Sequence, residues 1–156
     1  MPSDTQTDRD AVLGDIAESL SRAAVYELQL EWDTAVSFLR QALLQTVQLY
    51  GADSNEATEL LIRLARNFMK LGHYTDANEM LTVAVTNSVL CNGAVHVSTI
   101  KLLVNRSYAC KRLGLTEQQA KLLQQALWAV LRMSSRPKEL DVITTSLERQ
   151  SFEWID

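Results

Sequence analysis

Residues that could act as nucleophiles, general bases or metal ligands are few in this sequence and are not spaced for catalysis. The chain has two histidines, His73 and His96, and two cysteines, Cys91 and Cys110. Nucleophilic catalysis needs a Ser or Cys beside a base, but Cys91 and His96 lie five positions apart across a turn, where we expect a buried thiol and a surface imidazole. No pair of His, Cys, Asp or Glu recurs with metal-ligand spacing, and there is no glycine-rich phosphate loop. We therefore predict no catalytic residues, no metal site and no cofactor.

Two sets of polar and charged side chains recur at helical spacing, 42 residues apart. The first polar row consists of Glu59, Arg63, Arg66 and Lys70, and the second polar row consists of Lys101, Asn105, Tyr108 and Arg112. Steps of three and four residues place each row on one side of a helix. Cationic side chains arranged in this way can form charge-assisted hydrogen bonds with carboxylates.

The elements that position these rows are expected to be helices of a single domain. The chain has 156 residues, of which 47% are hydrophobic and 22% are charged, with only 5 Gly and 2 Pro. Such a composition suits one globular all-α unit rather than a many-turned sandwich or barrel.

The overall charge argues against nucleic acid and anionic membranes as partners. The formal net charge is −4, but it is unevenly distributed, because residues 34–133 carry ten basic and six acidic side chains. The acidic total gives no general attraction to polyanions, whereas the locally basic middle favours an acidic partner.

No segment is expected to target or span a membrane. Residues 80–100 carry no formal charge but include many Thr, Asn and Ser residues, and the start Met1-Pro2-Ser3-Asp4 lacks a signal-peptide pattern. Neither cysteine has CxxC spacing, so we expect a reducing, cytoplasmic location.

An internal repeat with a period of 42 residues organises the chain. Three columns hold small residues in at least two repeats (Ala23, Ala65, Ser107; Ala35, Ala77, Gln119; Ala42, Ala84, Ala126). Three others hold large apolar or aromatic residues in at least two repeats (Tyr26, Phe68, Cys110; Trp32, Tyr74, Thr116; Leu39, Leu81, Leu123). So many coincidences at one offset indicate a true repeat. We expect Trp32, Leu39, Phe68, Tyr74, Leu81 and Leu123 to form the hairpin cores.

Each repeat divides into two helices. Together with a C-terminal helix they are predicted near 8–29, 32–50, 54–71, 75–90, 95–113, 117–133 and 137–153. Asp53 with Glu56 and Thr116 with Gln119 have capping-box spacing at two helix starts, and Gly72 has the position of a left-handed cap. The Val- and Thr-rich stretch 82–104, which contains Asn92-Gly93, could alone form a β-hairpin, but the repeat register favours helices there.

These columns resemble the tetratricopeptide repeat. The 42-residue period and the Tyr50-Gly51-Ala52-Asp53 turn resemble the extended variant found in kinesin light chains. The resemblance covers residues 17–133 and implies three antiparallel helical hairpins. It departs from the pattern at Leu30, which stands where a turn Gly is expected, and in the third repeat, where Thr116 and Gln119 replace an aromatic residue and Ala.

The resemblance also implies where the two polar rows face. The first helix of each tetratricopeptide pair lines a concave groove, so both rows would line it, and the corresponding columns of repeat one place Ala17, Ala24 and Leu28 at an apolar end. Asn105-Arg106-Ser107 resembles part of the carboxylate clamp of heat-shock chaperone adaptors. The other clamp residues do not match, because Ile62 and Arg66 occupy their positions.

The C-terminal part is expected to close the repeat stack. Pro137 suits a first helical turn, and Leu140, Ile143, Leu147 and Trp154 fall on one stripe that could cover the apolar end of the repeats. We thus divide the chain into a flexible tail (1–7), a three-repeat domain (8–133) and a capping helix with its tail (134–156).

Two short segments resemble the tryptophan-acidic peptides that kinesin light chains bind. They are Leu30-Glu31-Trp32-Asp33 and, more loosely, Glu153-Trp154 with Asp156. For Trp32 the repeat register favours packing, and for Trp154 the apolar stripe does.

The sequence thus predicts a non-catalytic protein-interaction module, an adaptor or scaffold. Its partner would be another protein, bound through an acidic or carboxylate-bearing segment in the partly basic groove. The alternative is a constitutive subunit of a multiprotein assembly, held through its outer helical surface.

Overall fold

The computed structural model describes residues 4–135, 137–149 and 154–156, without the side chains of residues 146–149. This described part contains seven α-helices and no strand, which confirms the all-α prediction. The helices are α1 (Asp4–Leu28), α2 (Trp32–Tyr50), α3 (Asn55–Leu71), α4 (Tyr74–Asn92), α5 (Val97–Arg112), α6 (Thr116–Arg132) and α7 (Glu139–Arg149). Helix α1 begins at Asp4, so residues 4–7 are helical, although the sequence suggested a flexible tail there. The predicted helical residues 150–153 lie outside the described residues.

The chain forms two compact units, Met1–Gly72 and His73–Asp156. In the N-terminal unit, α2 packs against α1 and α3. In the C-terminal unit, α5 packs against α4 and α6, and α7 lies on α5 and α6.

The small-residue columns of the repeat are buried, which allows close approach of the helices. Fully buried alanines are found at Ala23, Ala35, Ala42, Ala65, Ala77, Ala84 and Ala126. Of the large residues expected in the core, Leu39, Leu81 and Phe68 are buried, whereas Trp32, Tyr74 and Leu123 are half-buried. In α6 the neighbouring Leu122 is buried instead, so the third repeat departs from the common pattern.

The segment that could have formed a β-hairpin is helical. Asn92 ends α4, and Gly93 follows with φ 89° and ψ 168°, close to the φ 96° and ψ 158° of Gly51 after α2. This region of backbone space is essentially restricted to glycine. Beyond the turn, the buried Thr99 hydroxyl donates to the Gly93 carbonyl at 2.9 Å and lies 2.7 Å from Ser88 Oγ. The repeat register therefore outweighs the local β-propensity.

The helix starts differ from the predicted capping boxes. Ser54 rather than Asp53 caps α3, since its Oγ accepts from the Ala57 amide at 3.1 Å. Helix α6 has Leu115 at its N-cap with no side-chain cap, so the cap predicted at Thr116 is wrong. At α5 the N-cap is His96, whose Nδ1 accepts from the Ser98 amide at 3.2 Å.

The departure of Leu30 from the repeat lies in residue type and not in conformation. Leu30 has φ 61°, and the matching Gly72 and Gly114 have φ 76° and 74°. Two of these turns are closed by the same type of hydrogen bond, from an amide to the carbonyl five residues earlier. The Glu31 amide donates to the Tyr26 carbonyl in one turn, and the Leu115 amide donates to the Cys110 carbonyl in the other. This is the Schellman arrangement, which normally uses glycine. Leu30 therefore holds a left-handed conformation that L-residues adopt at a cost.

Helix α7 contributes to the core of the C-terminal unit. Leu140 and Ile143 are fully buried in a cluster that includes Ile100 of α5 and Val130 of α6. Leu147 has no described side chain, and Trp154 is outside any helix, so the predicted stripe is supported over its first two members only. None of the helices in the described ranges is long and apolar enough to cross a bilayer.

Candidate protein-interaction surface

The first polar row lies on α3, where a carboxylate of the same unit already engages it. Glu27 of α1 accepts from Arg63 through Nε at 3.0 Å and Nη2 at 2.8 Å. Asn67 Nδ2 donates to the same carboxylate at 2.7 Å, and Arg66 Nη2 lies 4.0 Å from it. The side chain of Glu27 is only 12% exposed. The carboxylate that Arg63 binds thus belongs to the chain itself, whereas the sequence pattern assigned Arg63 to binding a partner's carboxylate.

Burial and basic neighbours act on Glu27 in opposite directions. Burial alone would raise the pKa of the Glu27 carboxyl, but the hydrogen bonds from Arg63 and Asn67, together with the charges of Arg63 and Arg66, lower that pKa below its ordinary value. Glu27 therefore stays ionised and balances charge on α3.

The apolar end predicted for the groove lies on α1. Leu28 is 85% exposed, Ala17 is also exposed, and Ala24 is half-buried. Leu28 is thus accessible to a partner, but its neighbour Glu27 makes this stretch of α1 less apolar than the sequence columns indicated. Lys70, at the last position of the first polar row, is exposed.

The second polar row lies on α5, and its central residue already holds a peptide backbone. Asn105 is 2% exposed. Its Nδ2 donates to the Ile155 carbonyl at 2.8 Å, while the Ile155 amide donates to Asn105 Oδ1 at 2.7 Å. Both ends of one carboxamide are therefore satisfied by the main chain of one residue.

The other members of the second polar row surround Asn105 along the helix. Lys101 and Tyr108 are half-buried, and Arg112 is exposed. Arg112 Nη2 donates to the Tyr74 hydroxyl of α4 at 2.8 Å, and its guanidinium carbon lies 5.0 Å from the centre of the Tyr74 ring. Tyr74 thereby restricts the direction of the guanidinium group while leaving it in solvent, which suits an anion-binding side chain.

The cysteines and histidines do not assemble a reactive site in the described residues. Cys91 is exposed and Cys110 is buried, so the expectation of a buried Cys91 thiol is wrong. Burial raises the pKa of the Cys110 thiol, which disfavours the nucleophilic thiolate. His96 serves as a helix cap, and no group of three potential metal ligands occurs in the described part of the chain.

A separate apolar cavity lies between α4, α5 and α6. Its volume is about 610 Å³, and its lining includes Val85, Val89, Leu103 and Trp128. Trp128 is 46% exposed and stacks with Arg132 at 4.0 Å. This surface involves the second helices of the repeats and is distinct from the second polar row.

Two residues of these surfaces could not be identified from the repeat. Glu27 pairs with a residue 36 positions away, and Ile155 pairs with one 50 positions away, so neither contact follows the 42-residue columns. The sequence signals were limited to one acidic residue near the end of α1, Glu27 itself, and to the apolar-acidic composition of segment 154–156.

Comparison with known proteins places the fold among tetratricopeptide-like repeats. No protein-family model matches the chain, and no curated protein matches it. Among solved structures, BtubC (BKLC) from P. vanneervenii matches with a TM-score of 0.72 at 15% identity, covering 83% of this chain and 52% of the other. This chain therefore spans about half the length of that structure.

Two further structures support the same fold. A putative kinesin light chain with nearly identical TPR-like repeats from Podosopora anserina matches with a TM-score of 0.66 at 18% identity, covering 86% of this chain and 67% of the other. A TPR-like protein from Chlorobium tepidum matches with a TM-score of 0.61 at 12% identity, covering 90% and 94% of the two chains. The chain thus has a tetratricopeptide-like helical-repeat fold, as the sequence columns indicated.

Proposed function

We propose that this chain is a non-catalytic protein-interaction module that binds an extended, acidic segment of a partner protein along the second polar row. Tetratricopeptide-like repeats are typically non-catalytic interaction modules, and this fold supports the general class. The adaptor role, the acidic partner and an intracellular, reducing location are part of the proposal.

The observation that carries the proposal is the pair of hydrogen bonds between Asn105 and the Ile155 main chain. An amide side chain that binds a peptide unit at both its donor and its acceptor can hold any extended segment, whatever its side chains. Lys101 and Arg112 lie one turn before and two turns after Asn105, so an acidic side chain of the bound segment could reach either one. In the first polar row, Arg63 forms an ion pair with Glu27. The proposed binding site is therefore the second polar row.

Partner capture with matched charge-reversal variants tests the proposal. The chain carrying Lys101→Glu and Arg112→Glu should capture at least 10-fold less partner from an extract of its source cells, measured by quantitative mass spectrometry, because an acidic segment would meet two carboxylates. The control, Lys111→Glu with Lys138→Glu, makes the same change in net charge at exposed positions outside the row and should retain capture.

Salt provides a second readout on the same complexes. Raising the salt concentration to 0.5 M, where the screening length is roughly 4 Å, should weaken capture by the unaltered chain. Full capture by the folded Lys101→Glu, Arg112→Glu variant would contradict the proposal.

One observation favours the alternative, a constitutive subunit held through the second helices of its repeats. The large apolar side chains of Leu90, Leu127 and Leu131 are 71%, 47% and 64% exposed on α4 and α6, close in sequence to the cavity residues Val89 and Trp128. Under this alternative, Trp128→Ser with Leu131→Ser should abolish capture, and the charge-reversal variant should retain it.

A further inference from the structure

The chain's own segment 154–156 occupies the centre of the second polar row. Ile155 forms both main-chain hydrogen bonds with Asn105, at 2.8 and 2.7 Å. The segment has no regular secondary structure, so its peptide groups have no helical partners of their own. Asn105 therefore treats this segment as it would treat a bound peptide.

Side-chain contacts add selectivity to this backbone recognition. Ile155 is half-buried and packs against the apolar cluster that contains Ile100 and Val104 of α5. On either side of it, Trp154 Nε1 donates to Asp156 Oδ1 at 3.1 Å. The bound segment is thus an aliphatic residue seated on α5, preceded by an aromatic residue and followed by an acidic one.

We propose that Trp154-Ile155-Asp156 is a self-ligand of the second polar row, and that a partner segment with an aliphatic residue followed by an acidic one must displace it. This inference rests on the proposed function, because it assigns the ligand chemistry and the regulation of the same site.

Competition follows from the burial of the Asn105 carboxamide. Ile155 is bound to its nitrogen and to its oxygen, and the residue is only 2% exposed, so a second peptide backbone cannot reach the carboxamide until Ile155 leaves. A segment joined covalently to its own site competes at an effective concentration on the order of millimolar. The apparent affinity for a partner therefore falls in proportion to the fraction of chains whose site is free.

A labelled peptide with the sequence of residues 150–156 tests the inference in the 156-residue chain. Its affinity is measured by fluorescence anisotropy for the unaltered chain, for Ile155→Pro and for Ile155→Val. Proline removes the amide that donates to Asn105, whereas valine keeps both the amide and a branched aliphatic side chain. We expect the peptide to bind the Ile155→Pro chain at least 10-fold more tightly than the unaltered and Ile155→Val chains.

Two controls establish that the peptide binds at Asn105. Adding Asn105→Ala to the Ile155→Pro chain should weaken binding at least 10-fold, and a peptide with proline at the Ile155 position should not bind. If the Asn105→Ala variant does not fold, the side-chain amide resonances of Asn105 are followed by NMR in the Ile155→Pro chain as peptide is added, and they should shift.

Equal affinity of the unaltered and Ile155→Pro chains, absence of binding to both, or an unmoved Asn105 amide resonance would overturn the inference. These outcomes are separable from failure of the proposed function. If the peptide fails to bind while partner capture still depends on Lys101 and Arg112, only the self-ligand is wrong. If capture is independent of those residues, the proposed function is wrong.

Discussion

At the scale of single residues, Glu27 shows that a conspicuous charge row can be neutralised within the chain. Arg63 and Asn67 hold its carboxylate with hydrogen bonds of 2.7 to 3.2 Å, and the two charged side chains are 25% and 12% exposed. A pair at this depth contributes to the fold, so charge reversal of Arg63 would place two carboxylates in contact and destabilise the N-terminal unit.

Arg63→Met tests this role, because it keeps most of the side-chain length and removes the charge. We expect the free energy of unfolding in urea to fall by about 1–3 kcal/mol, since a mostly buried carboxylate loses its main partner. Lys121→Met is the matched control. It breaks an ion pair with Glu117 whose side chains are 67% and 84% exposed, and it should cost less than about 0.5 kcal/mol.

The lowered pKa of Glu27 adds a pH dependence with a defined sign. Its ordinary value is 4.5, so its contribution to stability is complete above about pH 4.5 and is lost as the pH falls through the lower folded-state value. In Arg63→Met the carboxyl loses the Arg63 hydrogen bond and charge that lower its pKa, so the pKa of Glu27 should be higher than in the unaltered chain. The difference in stability between the two proteins should therefore shrink on acidification below pH 4.5, and a constant difference from pH 7 to 3.5 would contradict this account.

At the scale of helices and turns, the repeat imposes a backbone that one residue type fits poorly. Leu30 adopts the same left-handed turn as Gly72 and Gly114, and its side chain is 69% exposed. The position therefore carries backbone strain with little compensating burial.

Leu30→Gly should stabilise the protein. A left-handed conformation costs an L-residue roughly 1–2 kcal/mol, and Leu30→Gly removes this cost. Glycine also makes the unfolded chain more flexible, which offsets roughly 0.5–1 kcal/mol of the stabilisation. We expect a net increase of about 0.5–1 kcal/mol in the free energy of unfolding. The reciprocal change, Gly72→Ala, should lower the free energy of unfolding by about 1 kcal/mol, because alanine adopts the left-handed conformation at a cost. No atom would crowd the added Cβ, so this backbone cost is the whole expected effect. A lower melting temperature for Leu30→Gly would show that the turn is not strained.

The elements that the sequence predicted well are those set by periodicity. The apolar and small-residue columns placed the start of every helix in the described residues within four residues of its observed position. The 42-residue register correctly outweighed the Asn92-Gly93 hairpin signal. The N-caps were less predictable. Ser54 and Asp53 are both good N-cap residues, and the backbone conformation just before α3 determines which of them caps the helix.

At the scale of the whole molecule, the sequence indicated the helical-repeat fold but not the contacts that join residues of the candidate site. A repeat is recognised from residues that share a column. The contacts of Glu27 with Arg63 and of Ile155 with Asn105, in contrast, link residues from different columns. Such contacts depend on how helices pack and where a segment returns, and no local pattern encodes them. Asn105 itself was proposed as a binding residue from its column and its resemblance to a clamp residue. Its occupation by the C-terminal segment required the structure.

The most direct test of the central claim, that the second polar row binds a partner segment, is site-specific photo-crosslinking. p-Benzoylphenylalanine is placed at Tyr108 of the row or, as the control, at Leu131 of α6, and intermolecular products formed in an extract of the source cells are mapped by mass spectrometry. If the second polar row binds the partner, position 108 should form cross-links to an acidic partner segment, and these cross-links should be lost when Lys101→Glu and Arg112→Glu are added. Cross-links to a partner from position 131 alone would contradict this claim and assign the interface to the second helices of the repeats.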